Sequence, residues 1–196
     1  MGWTVPYDVP HRKDLIAERV ADQNWTNPDG TKVEGRALKH CYRGGIRKGT
    51  LYIVWERTTT KPGQKPESMR FIEVDLLECY NEKGGGRTWG YKDIDCCMGP
   101  CETSCPLSYL ELCAPHTTSN HCAGWHEKVR AYHAEAEKAR NMVKGLKKGD
   151  VVELRKGCHP PEGIVQSLKP FLIDYNYRTY KCRASLIVGV KETAKV

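Results

Sequence analysis

Gly49-Thr50-Leu51-Tyr52-Ile53-Val54-Trp55-Glu56-Arg57-Thr58-Thr59-Thr60 is the stretch that decides the fold. Its centre, 51–55, is a short run of β-branched, aliphatic and aromatic residues, closed by Gly49 on one side and three threonines on the other. A run of that length between turn-forming residues reads as a β-strand. Downstream, Phe71-Ile72-Glu73-Val74-Asp75-Leu76-Leu77 mixes alternation with a terminal apolar pair and reads as a second strand. Lys61-Pro62-Gly63-Gln64-Lys65-Pro66 between them is an exposed loop. A further strand around 36–42 gives an antiparallel sheet of three or four strands. Upstream, the apolar stripe Leu15, Ile16 and Val20, flanked by Arg19, predicts a helix over 11–22. Asn27-Pro28-Asp29-Gly30 is a turn that ends this helical unit.

Toward the C-terminus, Pro106 is placed to start a short helix over 107–112. The clearest helix spans 123–143: Trp125, Val129, Tyr132, Ala136, Ala139 and Val143 recur at helical spacing, with Glu127, Lys128, Glu135, Glu137 and Lys138 on the other side. Gly145 caps it, and the chain changes character. Residues 146–154 read as a turn feeding a strand, and strand-like segments follow at 163–168, 171–175 and 180–190. The expected class is α+β: an antiparallel sheet with packed helices over residues 1–144, then a small SH3-like or PUA-like β module over 145–196.

With 39% apolar residues and a mean hydropathy of −0.62, the chain suits a soluble protein with a modest core. No apolar run approaches the roughly 18 residues that cross a bilayer. The start, Met1-Gly2-Trp3-Thr4-Val5-Pro6, lacks a basic segment followed by an apolar one, so a cytoplasmic, reducing compartment is expected. Net charge is +7, from 31 Lys and Arg against 24 Asp and Glu, which favours polyanionic partners, nucleic acid first. The densest basic segments are 36–48 and 138–148; many such runs are simply solvated faces.

Segment 96–122 holds six of the ten cysteines and two of the seven histidines. Cys97, Cys101 and Cys105 recur every fourth residue around Gly99-Pro100, and His116, His121 and Cys122 follow, so a tetrahedral zinc site could draw on these six. Against that, the segment lacks paired C-x-x-C knuckles, and the adjacent Cys96 and Cys97 point apart, as separate buried thiols would. No Cys–His pairing signature marks a catalytic thiol. His126 and His133, seven residues apart on one helix face, stand about 10.5 Å from each other and cannot share a metal unaided. Gly84-Gly85-Gly86 lacks the phosphate-loop pattern and reads as a hairpin connection. Tyr175, Tyr177 and Tyr180 interleave with Arg178, Lys181 and Arg183, a basic-aromatic pattern that either stacks on bases or packs a sheet with a soluble edge.

Gly2-Trp3-Thr4, Gly90-Tyr91-Lys92-Asp93-Ile94-Asp95 with Gly99-Pro100, Cys105-Pro106 and Leu110, and the helix Trp125-His126-Glu127-Lys128-Val129-Arg130 resemble a family of small proteins carried by bacteriophages and plasmids. Lys148-Gly149-Asp150-Val151-Val152 and Tyr180-Lys181-Cys182-Arg183 resemble the C-terminal β module of that family. The resemblance implies a cytosolic accessory protein of a mobile element and carries over no catalytic residue. The family pattern keeps Cys105 and often a cysteine near Cys101; Cys96, Cys97, Cys113 and Cys122 look like additions. It makes Tyr91, Lys92 and Asp93 candidates for a shared functional surface, the alternative being a buried tyrosine, a capping aspartate and a solvated lysine.

The expected function is a non-enzymatic accessory protein that binds nucleic acid or a host nucleoprotein complex, in its concrete form an inhibitor of a defence system such as CRISPR or restriction. Its candidate contacts are Tyr91, Lys92, Asp93, Lys147, Lys148, Tyr175, Tyr177, Arg178, Lys181 and Arg183. The alternatives are an enzyme acting on a nucleotide or nucleic acid through Tyr91, Lys92, Asp93 and Asp95, and an interaction adaptor stapled by zinc.

Overall fold

The computed structural model describes residues 9–81, 87–93, 102–113, 124–183 and 186–191. The chain divides into two compact units, Met1–Arg130 and Ala131–Val196. The first is built on a meander of five antiparallel strands, β1 (Gln23–Thr26), β2 (Lys32–Gly44), β3 (Lys48–Thr60), β4 (Glu67–Asn81) and β5 (Arg87–Asp93), adjacent in space as in sequence. It also holds α1 (Arg12–Arg19), α2 (Leu107–Leu110) and the first turns of α3 (Trp125–Gly145). The α+β class is as expected from the sequence, with antiparallel strands predominating.

The opening run explains this unit. Side chains alternate across a strand, so Tyr52 and Val54 of β3 lie on one face and Leu51, Ile53 and Trp55 on the other. All five are buried, because each face has a cover. Tyr52 and Val54 pack with Val74 of β4 and with Cys105, Tyr109, Leu110, Cys113, Trp125 and Val129 from α2, its flanks and the start of α3. Leu51, Ile53 and Trp55 pack with Leu15 of α1 and with Leu77, Trp89 and Tyr91. The Asn27–Gly30 turn forms as expected: the Gly30 amide donates to the Asn27 carbonyl at 2.9 Å, and Gly30 takes a φ of +83° that suits glycine. The β2–β3 turn brings Gly44 and Gly49 so close that side chains there would collide with backbone.

Two expectations for this unit need correcting. The helix expected over 11–22 is shorter, Arg12–Arg19, and the sheet has five strands rather than three or four, adding β1 and β5 to the three segments read from sequence. Gln23-Asn24-Trp25-Thr26 is too short and mixed to mark a strand, since only Trp25 and Thr26 favour one; it forms by pairing with β2, from Gln23 opposite Gly35 to Thr26 opposite Lys32.

The second unit holds the rest of α3 and a second antiparallel sheet: β6 (Val151–Leu154), β7 (Glu162–Leu168), β8 (Phe171–Tyr175), β9 (Arg178–Lys181) and β10 (Ile187–Lys191), in spatial order β10-β6-β7-β8-β9. Its core gathers Leu146, Val152, Leu154, Val165, Ile173 and Ile187, with Met142 and Val143 of α3 against it. The strand expected over 180–190 is two strands at opposite edges, β9 against β8 and β10 against β6. The sequence puts the join between units at 144/145; the two units part at 130/131, because the end of α3 buries Met142 and Val143 in the second core.

His126, on the first turn of α3, is buried and its Nδ1 has no hydrogen-bond partner. Burial, with Arg130 adding to it, holds its pKa below the ordinary 6.5. The unfolded chain therefore binds the proton more readily, and stability from this group, complete above pH 6.5, is lost as pH falls through the lower folded value. Urea unfolding of wild type should weaken as pH drops below about 6.5, and His126→Asn should flatten that dependence.

Candidate nucleic-acid interface

The basic-aromatic segment lies on the β8–β9 hairpin. Tyr175 pairs with Arg178, leaving Asn176 and Tyr177 as a two-residue loop. Both have positive φ, +48° and +62°, as in the tight turns whose twist matches a hairpin. Asparagine tolerates this region; a bulky residue there is uncommon. Tyr177 is fully exposed, its ring set out in solvent at the tip.

Strand alternation sorts the rest. Tyr175, Arg178 and Tyr180 share one face of the hairpin, while Thr179 and Lys181 share the other, where Thr179 Oγ1 donates to Asp174 at 2.6 Å. On the first face His159, from the β6–β7 connection, stands edge-on to Tyr175 and Tyr180, with ring centroids at 6.3 and 6.1 Å. Tyr175 and Tyr180 are half-buried by this packing, and Arg178 is exposed. His159 was not foreseen, since Cys158-His159-Pro160-Pro161 carries no periodic signal and its partners lie across the sheet.

Lys147, Lys148, Lys181 and Arg183 are exposed but belong to the opposite end of the sheet from the tip. The Gly149 amide donates to the Val165 carbonyl at 2.8 Å, and Val165 pairs with Ile173, which pairs with Tyr180 next to Lys181. The expected surface is thus two patches: an aromatic tip with Tyr175, Tyr177, Arg178 and His159, and a cationic end with Lys147, Lys148, Lys181 and Arg183.

Tyr91 lies in the first unit, buried among α1, β3 and β4. Its ring carries the Arg19 guanidinium at 3.9 Å. Arg19 Nε donates to Asp75 Oδ2 at 2.8 Å and its NH2 group to Glu73, which also accepts from Trp55 Nε1. Asp75 is completely buried. Lys92 is half-buried, and Asp93 closes β5 opposite Asp75. Asp95 lies outside the described residues.

Of the six candidate zinc ligands, Cys97, Cys101, His116, His121 and Cys122 lie outside the described residues. Cys105 is buried in the first core, and burial, with Cys41 and Cys113 adding to it, pushes its thiol up to about 12. Burial likewise raises Cys41 and Cys113. A buried neutral thiol is unreactive at neutral pH. Among the described residues no three His, Cys, Asp or Glu side chains stand close enough to hold a metal ion, and no helix is long and apolar enough to cross a membrane. No protein-family model, curated protein or solved structure matches this chain.

Proposed function

We propose that the chain is a non-catalytic nucleic-acid-binding protein, an accessory of a mobile element acting in the cytoplasm of a bacterial host. Its second unit is read as an SH3-like or PUA-like module that grips a strand through the aromatic tip. The observation that carries this reading is Tyr177, fully exposed at positive φ beside the exposed Arg178. A large ring held in solvent at a conformational cost contributes nothing to a core, whereas open rings beside cations bind bases by stacking and phosphates by charge. The cationic end of the same sheet lengthens the path a strand can follow. In the cell this activity takes the form of blocking a host nucleoprotein defence complex, CRISPR or restriction, a role supported by the basic charge and the family resemblance.

The test is fluorescence anisotropy with labelled single-stranded oligonucleotides. Tyr177→Gly removes the ring and installs the residue that this turn favours, so the hairpin holds. It should weaken binding about 5- to 150-fold, the range for one lost base stack. Arg178→Glu should weaken it further while the fold stands, since exposed substitutions cost under about 0.5 kcal/mol. Unchanged affinity in both variants overturns the reading.

A further inference from the structure

The half of the first sheet that extends beyond Leu15 and Tyr91 presents an aromatic and cationic face. Register places Trp25, Val33, Thr59 and Glu67 in one row across β1, β2, β3 and β4, and Gln23, Gly35, Arg57 and Met69 in the next. Trp55 and Phe71 close the set. By alternation these share the face that α1 covers further along. Here the cover thins: Trp25 is 42% exposed and Met69 47%, Arg57 and Phe71 are half-buried, and Val33, Gly35 and Trp55 stay buried beneath them.

Arg57 ties the face together. Its guanidinium lies 5.6 Å from the Trp25 ring centroid and 4.7 Å from that of Phe71, between the two aromatics. Gly35 stands between Gln23 and Arg57 in the ladder, and a Cβ there would press on Gln23 at 3.3 Å and reach the Trp55 ring at 3.9 Å. The result is a row of π-surfaces with a delocalised cation set into it. Lys61 and Lys65, both exposed, lie in the β3–β4 loop at this end. The acids nearby are Glu67 and Asp29, whose carboxylate accepts from the Thr31 amide at 2.9 Å. Glu56, on the opposite face, is held by Arg36 and Arg70.

We infer that this face, centred on Trp25, Arg57 and Phe71, is a second binding site for single-stranded nucleic acid. Unpaired bases have exposed π-faces that stack on aromatic rings and on guanidinium planes, while phosphates meet the lysines at the rim. A duplex keeps its bases stacked inside and offers this platform nothing but its backbone. The site shares its class of partner with the hairpin and needs none of the hairpin's residues.

Trp25 reports on its own site. Of the described tryptophans, Trp55, Trp89 and Trp125 are buried and Trp25 is exposed; with Trp3, which lies outside the described residues, replaced by phenylalanine throughout, quenching by a stacked base reads Trp25. The full-length chain carrying Tyr177→Gly and Arg178→Glu, which disable the hairpin tip, is titrated with oligothymidylate, reading tryptophan fluorescence and anisotropy of the labelled strand together. The expected result is quenching that saturates with binding. Trp25→Phe should abolish most of the quenching and keep affinity within about threefold, because phenylalanine still stacks. Trp25→Ala and Arg57→Met should each weaken binding about 5- to 150-fold. If neither substitution changes affinity while the hairpin variant alone removes wild-type binding, the platform is overturned and the hairpin reading stands. If the hairpin variant binds like wild type and Trp25→Ala does not, the hairpin fails and the platform stands. Capture of a protein partner through Trp25 with no oligonucleotide bound also overturns it.

Discussion

Arg19→Leu should destabilise the first unit by about 3–5 kcal/mol, measured by urea unfolding at neutral pH. The size follows from what remains. Asp75 is completely buried and receives Arg19 Nε at 2.8 Å, and Glu73 receives the NH2 group of the same guanidinium. Remove the cation and two neighbouring carboxylates on one face of β4, Asp75 fully buried and Glu73 largely so, lose the guanidinium they share. The stacking of Arg19 on Tyr91 is lost as well. Most of the loss comes from the stranded charges rather than from any net worth of the pair, so adding Asp75→Asn to Arg19→Leu should recover a good part of it. An Arg19→Leu loss below about 1 kcal/mol would mean that the carboxylates find solvent or another cation.

Trp55→Ala should cost about 3–5 kcal/mol, the range for emptying a buried aromatic site. Trp55 is 1% exposed and its Nε1 donates to Glu73. Trp55→Phe keeps most of the packing and removes that donor, so its loss should be smaller, about 1–3 kcal/mol. Because Trp55 and Arg19 both serve Glu73, the two substitutions should not add: combined with Arg19→Leu, Trp55→Phe should cost measurably less or more than alone, by 0.5 kcal/mol or above. Strict additivity would show that Glu73 does not couple them.

Much of the fold is legible in the chain because it is written in local pattern. The run Leu51 to Trp55, the Asn27–Gly30 turn and the spacing from Trp125 to Val143 each specify an element on their own. β1 is not legible, since Gln23-Asn24-Trp25-Thr26 becomes a strand through its ladder with β2. The join between units is hidden for a related reason: nothing in an amphipathic helix says which core each of its turns enters, and Met142 and Val143 enter the second.

Of the interface, the sequence carries the residue types and not their sides. Tyr175, Tyr177 and Arg178 come together at the hairpin tip, but Lys181 turns to the other face and Lys147 and Lys148 sit at the other end, as strand parity and register require. Tyr91 reads from sequence either as part of a surface or as a buried tyrosine; it is buried in the core that α1, β3 and β4 form, where Arg19, distant in sequence, stacks on it. Trp25, Arg57 and Phe71 belong to three strands, and no sequence spacing could relate them.

The most direct measurement is the salt dependence of oligonucleotide binding by the full-length chain. Binding through phosphates and stacked bases predicts an observed affinity that falls linearly on log–log axes, by about 0.7 per phosphate neutralised on a single strand, with the strand recovered uncut. Absence of binding at low salt, or an affinity that salt leaves unchanged, would contradict it.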